Sequence, residues 1–255
     1  MYRVDLNCDL GESFGNYKIG CDNEVIPFIS SANIACGFHA SDPVVMDKTV
    51  KIAKDNGVSV GAHPGLPDLM GFGRRKMNIT PNEAKTMIQY QIGALDAFCK
   101  AHNIKMGHVK PHGALYNMAG KDLELSLAIC EGIKKVNSQL ILLALSGSKM
   151  IEAAKLTGIR YASEVFADRA YNDDGSLVDR KSNGAVITNE DEAINRVIRM
   201  IKEGKVRSIN GNDIKIEAQS ICIHGDGIKA LEFAKKIRQN LEDENIEILS
   251  LDKWI

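Results

Sequence analysis

Five of the six histidines in this 255-residue chain stand next to carboxylates, a lysine or an arginine in short polar runs. Asn7, Asp9, Glu12 and Ser13 form the first such run, and Asn33, His39 and Asp42 the second. His63 follows, then His108, Lys110 and His112, then Glu164, Asp168 and Arg169, and finally His224 and Asp226. Carboxylates and imidazoles move protons near neutral pH, and an ammonium or guanidinium holds negative charge as it develops on an oxygen. Such a set points to hydrolysis or group transfer. The bland alternative for each residue is a satisfied core polar group, but structural histidines would be scattered, and these five recur together.

Asp5, Asn7 and Asp9 alternate with apolar residues, so a strand would put all three on one face. A buried face with three such groups requires either mutual hydrogen bonds or a polar cavity. In the second case Asp9 or Glu12 is the candidate general base. His108 and His112 have the spacing of a helical metal pair, but Pro111 between them argues against a helix. Lys110 must find a carboxylate or an anionic ligand: a salt bridge to Asp9 or Glu164 and a role in oxyanion or phosphate stabilisation are equal alternatives. Gly61 to Arg75 is a glycine-rich segment ending in Arg74-Arg75, a candidate lid or anion clamp, with Arg74 the better binding candidate and Arg75 read as simply exposed. The run from Gly15 to Gly20 begins like a phosphate loop, but Cys21-Asp22 stand where Lys-Ser/Thr is needed. No G-x-S-x-G elbow is present either.

These residues need elements to hold them. Seven short apolar runs read as buried strands: Val4–Cys8, Ser31–Cys36, Val58–Ala62, Met106–Val109, Leu140–Leu145, Tyr161–Phe166 and Ser220–His224. Helices fall between. Asp42-Pro43 and the capping box Thr80-Pro81-Asn82-Glu83 open two of them. Later helices are expected over Leu123–Val136, Lys149–Thr157, Asp191–Lys202 and Ile228–Leu241. Arg169–Gly184 reads as a long loop or hairpin, and Val206–Ala218 as a place for short extra strands. Strand alternating with helix predicts an α/β fold: a single (β/α) barrel over residues 1–255, seven-stranded and irregular. A closed or nearly closed barrel fits better than an open dinucleotide fold, because no G-x-G-x-x-G follows the first strand. In a parallel barrel the carboxyl ends of the strands share one mouth, which is where the polar runs fall.

Bulk properties exclude several classes. With 32 basic and 33 acidic residues there is no electrostatic footprint for nucleic acid or an anionic membrane. Apolar runs are too short to span a bilayer. The six cysteines form no C-x-x-C pair, and the start lacks the layout of a signal peptide, so a cytoplasmic setting with reduced thiols is expected.

The motifs together resemble the LamB/YcsF family of 5-oxoprolinase A subunits. The resemblance rests on six blocks in family order: Asp5 to Gly15, Ser31 to Pro43, Gly61–Gly65 with Gly71–Arg75, His108 to Asn117, Glu164 to Tyr171, and His224-Gly225-Asp226. The chain departs from the family pattern in loops, at Cys21-Asp22-Asn23, at Leu177 to Arg180, and after Asp226. The resemblance implies a barrel of the glycoside hydrolase/deacetylase type. It implies ATP-dependent opening of 5-oxo-L-proline to L-glutamate, with ATP and Mg used together with partner subunits B and C; a homo-oligomer is compatible with it. Asp9, Glu12, His39, His63, Lys110 and His112 are then the catalytic candidates. Asn7, Asn33, Arg74, His108, Glu164, Asp168, Arg169 and His224 are the substrate-binding candidates. Two rival readings stand beside this one. In a metal-dependent deacetylase of an N-acetylated sugar, Asp9, His39 and His63 would hold a divalent metal. In a non-catalytic role the chain would only position the ring for its partners.

Overall fold

In the computed structural model, which describes residues 1–223 and 228–255 (the side chains of 228–230 excepted), the first strand, β1, spans Tyr2–Leu10. A short helix α1 (Asp22–Val25) and a 3-10 turn lead to β2 (Ser31–Ala35). Then come α2 (Pro43–Asp55), β3 (Ser59–His63), α3 (Pro81–Ala101) and β4 (Met106–Val109). The chain continues through α4 (Gly113–Ala119), α5 (Leu123–Val136), β5 (Ile141–Leu145), α6 (Lys149–Thr157) and β6 (Tyr161–Phe166). After α7 (Glu190–Glu203) an antiparallel pair, β7 (Lys205–Arg207) and β8 (Asp213–Lys215), precedes β9 (Ser220–Ile223). Helix α8 (Ile228–Asp243), β10 (Ile246–Ile248) and a 3-10 turn (Leu251–Lys253) complete the order.

β1 to β6 pair in sequence, all parallel, and β9 joins β6 on one side and β1 on the other. The result is a closed seven-stranded parallel barrel with helices around it. All seven sequence-read strands are present, and closure leaves no barrel edge unpaired. Strand β10 runs parallel to the start of β1, outside the ring, through Tyr2–Val4. The sequence reading lacks this strand because three residues give no periodic signal.

The helix starts obey local chemistry. The Asp42 carboxylate accepts from the backbone N–H groups of Val44 and Val45 at 2.8 and 3.0 Å, with Pro43 in the first turn of α2. At α3, Thr80 Oγ1 accepts from the Glu83 N–H while Glu83 returns to the Thr80 N–H at 2.7 Å. Val4, Leu6, Cys8, Ile34, Val60 and Leu142 pack the outer faces of the strands into a continuous apolar core with the helices. All six cysteines are free thiols.

Inside the ring the packing departs from the branched apolar layers usual in such barrels. Here the lining from β1, β2 and β9 is polar, while Ile141 and Leu143 of β5 and Ala162 of β6 form a separate apolar cluster with Leu251. Asp5, Asn7 and Asp9 share the inward face of β1, as the alternation requires, and they face Ser31 and Asn33 of β2 and Ser220 and Cys222 of β9.

Candidate functional site

The deepest polar layer is held at Asp5. Its carboxylate accepts from Ser30 Oγ at 2.7 Å, from Ser31 Oγ at 2.6 Å and from Ser220. Burial outweighs those hydrogen bonds and raises its pKa to about 6. One step up, Asn7 donates to Glu164 Oε1 at 3.0 Å and to Ser220 Oγ at 2.8 Å. Asn33 donates to Asn7 Oδ1 at 2.7 Å and to Asp9 Oδ1 at 2.9 Å, and accepts from His108 Nε2 at 2.7 Å. Burial keeps His108 neutral, with a pKa of about 4.

Lys110, just past β4, reaches into the centre of this layer. Its ammonium lies 2.8 Å from Glu164 Oε1, 2.9 Å from Asp9 Oδ1, 3.1 Å from Asn7 Oδ1 and 3.1 Å from Cys222 Sγ. Burial alone would favour the neutral amine, but Asp9, Cys222 and Glu164 outweigh it and hold the group well above the usual lysine range. Both salt bridges considered from the sequence are made. Tyr116 of α4 closes the layer, donating to Glu164 Oε2 at 2.6 Å. Burial and the neighbouring Glu164 push its hydroxyl well above the usual phenol range.

Above Lys110 the histidines gather. His63 Nε2 lies 3.3 Å from Asp9 Oδ2, and His63 Nδ1 is 2.7 Å from the Lys110 carbonyl oxygen. His112 Nδ1 is 2.9 Å from His63 Nε2, and its Nε2 is 2.8 Å from the Phe72 carbonyl. His39 stacks on His112 with ring centres 3.7 Å apart, and its Nε2 is 3.4 Å from Glu12 Oε1. Burial, reinforced by the neighbouring imidazoles, holds His39 well below the usual histidine range and His112 at about 3. Burial pushes the Asp9 carboxyl up, but His63 and Lys110 outweigh it and hold it well below the usual carboxylate range. The Asp9 side chain keeps 19% of its surface exposed, against 1% for His63 and 3% for Lys110. Of these three, Asp9 therefore has the freest access to the mouth.

Loops deliver these groups. Gly11 adopts a left-handed φ of +67°, and its N–H binds Asp22 Oδ2 at 2.9 Å, which turns the chain so that Glu12 points inward. Ser41 N–H binds the Ser13 carbonyl at 3.1 Å, lacing the loops after β1 and β2 together. The segment after β3 folds over the histidines: Phe72 packs edge-on against His39 and His112, and Arg74 lies 4.9 Å above the Phe72 ring. Arg75 is paired with Asp68 rather than standing alone.

Asp9, Glu12, His39, His63, Lys110 and His112 thus converge. Asn7, Asn33, His108 and Glu164 lie beneath them, bound to one another or to Lys110. The potential metal ligands group differently from the sequence expectation. Among the described residues the set whose ligand atoms lie within 4.8 Å of one another is Glu12, His39, His63 and His112, with Asp9 replaced and His112 added. Arg169 stands apart, its guanidinium donating to the Val178 carbonyl at 2.6 Å within the loop after β6. The Asp168 carbonyl likewise accepts from Ile187 N–H, at 2.8 Å. His224 and Asp226 lie outside the described residues. Tyr116, Ser30, Ser31, Ser220 and Phe72 escape the sequence reading. Period two from Asn33 back to Ser31 could have shown one of them, and the i, i+4 step from His112 could have shown Tyr116 once α4 was recognised.

Residues 4–255 match the model of the LamB/YcsF family. A Clostridium beijerinckii protein, named as the A subunit of 5-oxoprolinase, is 71% identical over 253 residues, covering 99% of each chain. The crystal structure of the lactam utilization protein from Thermus thermophilus superposes with a TM-score of 0.93 at 44% identity, over 98% of this chain and 100% of that one. A structure described as T48 deacetylase with substrate shares the fold alone, with a TM-score of 0.50 at 14% identity over 99% of this chain and 89% of that one. No helix among the described residues is long and apolar enough to cross a membrane.

Proposed function

The chain belongs to the LamB/YcsF family, and on that premise we propose that it is the ring-opening component of an assembly that converts 5-oxo-L-proline to L-glutamate with ATP. The observation that carries the proposal is the Asp9–Lys110–Glu164 arrangement at the mouth, a partly exposed carboxylate 2.9 Å from a buried ammonium that a second carboxylate holds in place. A five-membered lactam is a poor electrophile. Transfer of the γ-phosphoryl group of ATP to its amide oxygen gives ADP and a ring carbon open to attack. A first water adds at that carbon and the ring C–N bond breaks with the nitrogen taking a proton, which leaves the side-chain carboxyl as an acyl phosphate. A second water then hydrolyses it, releasing phosphate and the free carboxylate of glutamate. Asp9 accepts a hydrogen bond from the attacking water and aims it, and Lys110 holds the negative charge on the phosphorylated oxygen as water adds to the carbon.

The near-miss at Gly15 to Asp22 supports a division of labour in which Mg-ATP is handled together with subunits B and C. The test combines this chain with candidate B and C subunits, Mg-ATP and 5-oxoproline, and assays glutamate. Glutamate should appear only in the complete mixture, and Asp9→Asn should lower its rate about 10²-fold or more in a folded protein. Wild-type turnover by Asp9→Asn would reduce the chain to a positioning role. ATP hydrolysis by the chain alone, dependent on 5-oxoproline, would end the division of labour.

A further inference from the structure

The hydrogen bonds of the histidine group do not close with neutral rings. A carbonyl oxygen only accepts, so the 2.7 Å contact to the Lys110 carbonyl puts the His63 proton on Nδ1. The 2.8 Å contact to the Phe72 carbonyl likewise puts the His112 proton on Nε2. A neutral imidazole carries one N–H, so His63 Nε2 and His112 Nδ1 face each other with bare lone pairs 2.9 Å apart. Only a positive charge between or beside them relieves that contact. A proton would make one ring an imidazolium, faced by Asp9 Oδ2 3.3 Å from His63 Nε2 and by Glu12 Oε1 3.6 Å from His112 Nδ1. It would do so, however, where both rings are almost fully buried and a third imidazole is stacked 3.7 Å away, and it would leave the nitrogens of that third ring unserved. That third ring, His39, is 0% exposed, and neither of its nitrogens has a hydrogen-bond partner.

We propose that Glu12, His39, His63 and His112 bind one divalent first-row transition metal ion, of which zinc is the representative. The spacing fits. Ligands about 2.0–2.1 Å from a metal lie roughly 3.0–3.4 Å from one another, between the octahedral and tetrahedral limits. The structure has 2.9 Å between His63 Nε2 and His112 Nδ1, 3.4 Å between His39 Nε2 and Glu12 Oε1, and 3.6 Å between His112 Nδ1 and Glu12 Oε1. The two carbonyl contacts are what ligating histidines make with their second nitrogen, fixing the tautomer that leaves the first free. Three imidazoles with one carboxylate suit zinc, cobalt, nickel or iron, whereas magnesium and calcium prefer oxygen ligands. Gly73 lets the covering loop close on this group. Its φ is +61°, and a Cβ there would stand 2.7 Å from His39 Cβ and 2.8 Å from His112 Cδ2.

This inference is independent of the lactam reading, because it is tested on metal content rather than turnover. The full chain, purified without chelator and without a histidine tag, is analysed by mass spectrometry for metals, then stripped, titrated with Zn(II) or Co(II) and desalted. About one ion per chain is expected, and the Co(II) protein should show visible d–d bands. His39→Gln and His63→Gln should each lower retained zinc about tenfold or more, whereas His102→Gln, on the far end of α3, should not. Less than about 0.1 ion per chain after loading overturns the proposal, as does equal retention by wild type and a folded His39→Gln. If His39→Gln fails to fold, competition between the wild-type protein and a chromophoric zinc chelator decides the matter. A zinc affinity no better than that of the urea-unfolded wild-type chain overturns it.

Discussion

Below Lys110 the polar side chains of the barrel are matched donor to acceptor: three serines for Asp5, and Asn7, Tyr116 and Lys110 for Glu164. Above it, four equally buried side chains crowd together, with two lone pairs opposed and His39 lacking hydrogen bonds. Both regions are polar and buried, so neither composition nor burial separates them. What separates them is closure. A network whose hydrogen bonds all close holds itself together and specifies one arrangement, whereas one left open calls for a ligand. Lys110 joins the two, since its ammonium binds Glu164 below and Asp9 at the rim.

The largest expected effect breaks the closed region. Lys110→Met leaves Glu164 buried without its counter-charge and should cost about 3–5 kcal/mol, lowering Tm by roughly 10 °C. A denaturation midpoint within about 1 kcal/mol of wild type would show that the lower network does not depend on this ammonium.

A middle-sized effect sharpens the comparison through pH. Asp5 has its pKa raised to about 6 by burial, so its folded form binds a proton more tightly than its unfolded form. Its contribution is fully present below the unfolded value near 3.8 and is lost as pH rises through about 6. Asp5→Asn removes that slope. Relative to wild type, the variant should therefore gain a few kcal/mol between about pH 4 and about pH 6, whatever its deficit at the lower pH. Urea titrations at the two pH values measure the difference, and parallel profiles would contradict the buried-carboxyl account.

The smallest effect lies outside both regions. Arg75 pairs with Asp68 but keeps 66% of its side chain exposed, so Arg75→Ala should change stability by no more than about 1 kcal/mol. A larger loss by the same urea titration would mean that the loop over the histidines depends on that surface pair.

The seven strands and the caps at Asp42 and Thr80 were legible because their signals are local: apolar runs, period-two alternation, and a side-chain acceptor beside a free N–H. Helix α4 was not, because seven residues after a proline give no helical period. Strand β10 was not, because three residues acquire meaning only beside β1. The sequence by itself determined that six strand ends, the last of them outside the described residues, would carry acid, base and cationic groups to one mouth, since alternation fixes which side chains face inward. Only the tertiary structure decided which of them meet. Gly11's left-handed turn exchanges Asp9 for Glu12 beside His39, and the carbonyls of Lys110 and Phe72 fix the protons of His63 and His112. Those contacts join residues far apart in the chain, and hydrogen-bond direction at such range is set by backbone positions that no local pattern encodes.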